Sequence, residues 1–145
     1  MRSLSFTACK AFICVSLLTS VGCGKSYPLA PVSGRIEVDH KPLAHAEVMF
    51  SPLSGVDHPI SMGKTDEKGE FTLSLNNASH SQGAIVGEHR VSISVDIRNL
   101  DKKAVVTHMR RLEQLPARYN SQSELRFTVP AGGTTEANFL DLKSK

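Results

Sequence analysis

The residues able to do chemistry are few and widely spaced. Six histidines, His40, His45, His58, His80, His89 and His108, are the candidates for metal binding or proton transfer. None stands in an HxH or HExxH relationship, the spacings that bring two imidazoles to one ion. His40 and His45 flank one expected turn and are the pair that could converge. His89, in "EHRV", is expected on the wet face of a strand between Glu88 and Arg90. Asp66, Glu67 and Glu70 offer carboxylates to calcium, but a hairpin turn accounts for the same residues without an ion. A serine nucleophile would need GxSxG, which is absent. Gly24-Lys25-Ser26 ends like a phosphate-binding loop, and that loop needs a glycine five positions earlier to wrap phosphates in backbone N–H groups. Position 19 is Thr19, and Pro28 and Pro31 follow where a helix should open. The residues therefore predict no cofactor, no metal and no catalytic group.

Cys23 is different, because its chemistry is set by what precedes it. Arg2 and Lys10 supply positive charge, Ala11 to Leu18 form an apolar run, and Ser20, Val21 and Gly22 lead into the cysteine. That is the order of a secretory signal. The run is shorter than the roughly 20 residues a membrane-spanning helix needs. The three residues before Cys23 resemble a lipobox, the site cut by lipoprotein signal peptidase, with Ser20 standing where the pattern usually has Leu. The resemblance implies cleavage before Cys23, acylation of its sulfur, and a lipid bilayer as partner. Gly24 is not the Asp associated with inner-membrane retention, so the outer membrane is the favoured location by that analogy.

The other cysteines, Cys9 and Cys14, also fall before residue 23, so the 122 residues that follow contain no thiol, disulfide or CxxC pair. A chain without free thiols suits an oxidising compartment. Removing residues 1–22 leaves 123 of 145, enough for one domain with its own core. Of 17 basic and 14 acidic residues, only Arg2 and Lys10 leave, so the remainder is close to neutral. Nothing in that balance calls for nucleic acid.

The elements that must position anything on this chain are strands. Val32, Gly34, Ile36 and Val38 alternate with Ser33, Arg35 and Glu37, and Ala46, Val48 and Phe50 repeat the period. Phe71, Leu73 and Leu75 do the same, as do Val91, Ile93, Val95 and Ile97 in "VSISVDI", and Leu125, Phe127 and Val129 in "ELRFTV". Alternation of this kind makes half-buried strands. Further strands are expected within 60–65 and 137–142. "TDEKGEF", "VDHKPL" and "VPAGGTTE" supply the turns, through Asp66, Gly69, Pro42, Gly132 and Gly133. Short strands between such turns point to a β-sandwich.

One segment breaks the rhythm. From Asn99 to Arg118, Val105, Met109 and Leu112 sit at helical spacing, Asn99 or Asp101 could cap a short helix, and Pro116 would stop it. Lys102, Lys103, Arg110, Arg111 and Arg118 make the stretch basic. It reads either as a solvated crossover or as a contact surface for anionic lipid or polymer. Tyr119 follows in "PARYN" and is a candidate platform for a sugar, although packing against the sandwich edge suits a tyrosine better. With no Trp, and Tyr27 and Tyr119 the two tyrosines, stacking surface for glycans is scarce.

Taken in order, "VSG", "KPLAHAEVMF", "TDEKGEF", "GEHRVSI" and "LPARYNSQSEL" resemble small planctomycete-type bacterial lipoproteins that carry a carboxypeptidase-regulatory-like domain. The resemblance covers nearly everything after Cys23. It implies a transthyretin-type Greek-key sandwich of about seven strands over 32–145, at the envelope, behind a lipidated tether over 23–31. The chain as a whole reads as a non-catalytic envelope lipoprotein whose module binds a protein or stiffens the envelope or, alternatively, binds a glycan. Where the family turn continues from Asp39 with Gly, this chain has His40, which predicts a different turn type. Transthyretin relatives that hydrolyse 5-hydroxyisourate use a His/Arg/His set and a Tyr-Arg-Gly-Ser-type ending. "NFLDLKSK" matches neither.

Overall fold

The computed structural model describes residues 26–55, 57–77, 80–95 and 115–144. Cys23, the stretch before it, Lys102, Lys103, Arg110, Arg111 and the helical spacing after Asn99 lie outside those residues. What is described is all-β, with one 3₁₀ turn at Ala117–Tyr119.

The alternating runs form the strands that their period dictates. The larger sheet contains β4 (Ala46–Pro52), β5 (Ser61–Lys64), β7 (Ser74–Leu75), β9 (Gly87–Val95) and β10 (Arg126–Val129), in the order β10-β9-β4-β5-β7, antiparallel throughout. The smaller sheet is centred on β2 (Ser33–Val38). On one edge it takes β11 (Phe139–Leu142) in parallel, with Phe139 opposite Ile36 and Leu142 opposite Val38. On the other edge, β6 (Glu70–Thr72) covers the first half and β3 (Lys41–Pro42) the second. A separate pair joins β1 (Leu29–Ala30) to β8 (Ala84–Ile85).

Both sheets send side chains into one core. Ala46, Val48 and Phe50 from β4 meet Val91 and Ile93 from β9, Ile36 from β2, Phe71 from β6 and Phe139 from β11. Phe50 is the hub. Its ring centroid lies 6.3 Å from Phe71, 5.7 Å from Phe127 and 6.3 Å from Phe139, at tilted or edge-on angles. Such offset contacts favour aromatic pairs by about 0.5–1.5 kcal/mol beyond the area they bury. Gly34 lets the chain after β10 approach β2, because a Cβ there would stand 2.1 Å from the Ala137 carbonyl oxygen.

Four expectations change on contact with the structure. The 70–75 run is not one strand in one sheet, because it breaks at Leu73, and β6 pairs with β2 while β7 pairs with β5. His89 is buried, not wet: β9 begins at Gly87, so odd positions face inward and His89 shares the core face with Val91 and Ile93. The turn at Asp39-His40 keeps the left-handed backbone despite its histidine, with φ of 51° and 61°, the signature of a two-residue primed hairpin turn. Pro42 lies in β3, outside that turn's centre. Lastly, Leu29 and Ala30 at the end of the expected tether pair with β8, and Ala30 is buried.

Candidate functional site

The packed sheets have two ends of unlike chemistry. One collects the exit of β2, the start of β4, the 66–69 turn and residues 143–144. Asp66 builds the turn there, its Oδ1 accepting the N–H of Lys68 at 2.8 Å and of Glu70 at 2.9 Å. Gly69 takes φ of 75°. Asp66 thus builds the hairpin turn expected of it, and Glu67 Oε1 lies 2.9 Å from His45 Nε2.

Beside this turn, residues 143–144 dock on the β2–β3 hairpin. Ser144 N–H donates to Asp39 Oδ1 at 3.3 Å, and Asp39 N–H donates to the Leu142 carbonyl at 2.9 Å. Hydrogen bonds from Ser144, side chain first and backbone second, hold the Asp39 carboxyl below its usual range. Lys143 Nζ donates to His40 Nε2 at 3.4 Å. Thus His40 and His45, the pair with a chance to converge, are each engaged by a different neighbour.

Tyr119 belongs to the same end. The 3₁₀ turn at Ala117–Tyr119 tucks its ring into the core margin, where it is 9% exposed. Its hydroxyl accepts the Lys143 N–H at 3.4 Å, and the Arg118 guanidinium stands 4.9 Å over the ring. Burial alone would raise this phenol, but the Arg118 side chain and the Lys143 N–H outweigh it and lower the pKa. A buried, cation-covered ring cannot serve as a flat sugar platform. Of the basic side chains singled out with it, Arg118 is described and exposed.

The core histidine is the group that sequence reading missed. His89 is 1% exposed, with its ring 5.8 Å from that of Phe50. Nδ1 lies 3.0 Å from the Gly87 carbonyl, which fixes Nδ1 as the protonated nitrogen. Nε2 is then a buried acceptor without a partner. Burial lowers the pKa, against the opposing pull of the Gly87 carbonyl. Counting parity back from Val91 would have found this residue.

A shallow polar groove crosses the smaller sheet. Two adjoining clefts of about 330 and 370 Å³ share Ser33, Thr72 and Thr135. Arg35, Glu70 and Asn138 complete the second. Arg35 pairs with Glu37 at 2.9 Å, while its Nε has no hydrogen-bond partner. Among the described residues, no three His, Cys, Asp or Glu side chains gather as a metal site, and no helix is long and apolar enough to cross a membrane.

Compared with known proteins, the chain matches no family model, no curated protein and no solved structure.

Proposed function

We propose that this protein is a lipid-anchored, non-catalytic lipoprotein of the bacterial envelope, acylated at Cys23, whose β-domain serves as an interaction or structural module. The observation that carries the reading is the order of charge, apolar run and small residues that ends at Cys23. A strand domain whose first strand opens at Leu29, six residues beyond the cysteine, supports it. One acyl chain gives marginal binding and two or more give stable anchoring, at about 0.8 kcal/mol per buried CH₂. The outer membrane is the proposed location.

The domain is proposed to be a Greek-key sandwich of the transthyretin or carboxypeptidase-regulatory-like type. Its larger sheet contains the order β9-β4-β5-β7: β4, β5 and β7 lie side by side in chain order, with β6 crossing to the other sheet between β5 and β7, and β9 returns beside β4. Setting aside the two-residue strands β1, β3, β7 and β8 leaves seven. Metabolic labelling with a fatty-acid analogue is expected to mark the wild-type protein and not Cys23→Ala. Equal labelling of both, or of neither, would reject the anchor.

A second reading, a carbohydrate-binding module, is favoured by the hydroxyls of Ser33, Thr72 and Thr135 along the groove, which could meet sugar hydroxyls. Polysaccharide pull-down by the wild type but not by Thr72→Val would support it. Retention of neither would leave the protein-interaction reading.

A further inference from the structure

The chain that leads to Cys23 enters the domain at a fixed place. Pro28 accepts a hydrogen bond from Val86 N–H at 2.8 Å, and the Tyr27 ring packs edge-on against His58 at 5.1 Å. His58 belongs to the 53–60 loop, which also presents Leu53. At 46% exposure, Leu53 is, with Leu140, one of two exposed large hydrophobic side chains among the described residues. Leu53 N–H donates to the Glu88 carbonyl, so its backbone is held while its side chain stands in solvent.

This end is also poor in cations. Residues 26–34, 52–60, 75–89 and 128–136 contain no Lys or Arg, and their acidic residues, Asp57, Glu88 and Glu136, are exposed. The first cations behind them are Arg35 in β2, Arg90, opposite Ser51, and Arg126, opposite Arg90. The opposite end carries Asp39, Lys41, Asp66, Glu67, Lys68, Arg118 and Lys143. β9 runs from one end to the other, and its nine residues span about 26 Å at roughly 3.3 Å per residue. From Cys23 to Tyr27 the chain can reach no more than about 14 Å, at ~3.6 Å per residue. The cation-poor end is therefore within one short span of the anchoring sulfur, and the charged end is not.

We infer that the cation-poor end rests on the bilayer, with Leu53 entering the interfacial layer and the charged end facing away. The inference depends on acylation at Cys23. The occupant is a lipid surface of zwitterionic headgroups, since the loops of this end carry carboxylates and none of the cations that anionic lipids would attract. An apolar side chain close to an anchored chain gains interfacial burial without any further loss of translational freedom.

The test uses the full-length, lipidated protein in phosphatidylcholine vesicles, with an environment-sensitive fluorophore on Leu53→Cys or, at the far turn, on Lys68→Cys. Acylated Cys23 leaves no competing thiol in the processed chain. Flotation with the vesicles reports the anchor. Emission wavelength and quenching by spin-labelled lipid report docking. The expected result is a shift to shorter wavelength, with strong quenching, at residue 53 and neither at residue 68. A probe on Ser54→Cys should lose its shift when Leu53→Asp is added. Water-like emission at both positions in a protein that floats would overturn docking and leave the anchor standing. Equal shifts at both positions would overturn the end-on orientation. Failure to float would reject the anchor, and the docking inference with it.

Discussion

The two ends of this domain solve the same problem, reversing a chain, with different chemistry. At the charged end, side chains do it: Asp66 caps two backbone N–H groups, Asp39 receives residue 144, and His45 meets Glu67. At the end that receives the N-terminal chain, backbone does it. Leu53 N–H bonds to Glu88, Asn76 to Ile60, Val86 to Pro28 and Thr134 to Pro31, each through carbonyls at 2.8–2.9 Å. Glycines at 55, 83, 87 and 133 adopt positive φ there. Where backbone groups close the turns, no charged side chain is tied up in building them. The loops of one end are without Lys or Arg, and the other end carries both signs.

The largest expected effect would abolish the comparison. Phe50→Ala removes the ring that links β4 to β6, β10 and β11, and should destabilise the whole domain by about 3–5 kcal/mol. Urea unfolding followed at both ends should still show one transition. Two separate transitions would mean the ends are independent units.

Acid should distinguish the ends. His89, beside Pro52 and so nearer the cation-poor end, has its folded pKa below the ordinary 6.5. The unfolded chain binds its proton first as pH falls, so the stability held by neutral His89 is complete above about 6.5 and is lost as pH drops toward the folded value. Asp39, whose folded pKa is also lowered, contributes above its ordinary 3.8 and loses that contribution only in stronger acid. Stability measured between pH 7 and 5 should therefore slope in the wild type and flatten in His89→Leu. An unchanged slope in the variant would rule His89 out as its source.

Smaller effects sharpen the contrast at the charged end. Asp66→Ala should cost about 1–2 kcal/mol by leaving two N–H groups without their acceptor, read as a lower urea midpoint. His40→Gly, at φ of 61°, should gain about 0.5 kcal/mol, since glycine accepts a left-handed backbone that histidine resists. Tyr119→Phe, losing one long hydrogen bond to Lys143, should cost about 0.5 kcal/mol.

How much of this was legible in the sequence follows from what each feature depends on. Period-two alternation located β2, β4, β9 and β10, because a face buried in a core must repeat every second residue; β5 and β11 were expected as strands within 60–65 and 137–142 without a clear inward face. The Asp66 turn was legible because its hydrogen bonds are local. The break at Leu73 was not. A strand that leaves one sheet for another keeps the same parity, and only its partners reveal the change. His89 carried the right parity all along, but a polar type between two charges concealed it. The pairing of Leu29–Ala30 with β8 depends on a segment some 55 residues away, beyond any local pattern. Tyr119 packs at the core margin beside Lys143, 24 residues on and likewise outside any local pattern. Of the basic side chains, the structure places Arg118 on the surface next to Tyr119.

The short β1–β8 pair has a mechanical consequence. It is the first strand pairing met by a force arriving from the N-terminal side, behind the Tyr27–His58 ring contact and the Pro28–Val86 hydrogen bond, and it holds only two residues in register. Beyond it, the Val32–Thr134 bridge and the full length of β2 resist. Releasing β1 alone would pay out residues 29–31, roughly 10 Å of slack at ~3.3 Å per residue, while Phe50 and its neighbours stayed packed. The domain carries, in effect, a reel with one small catch.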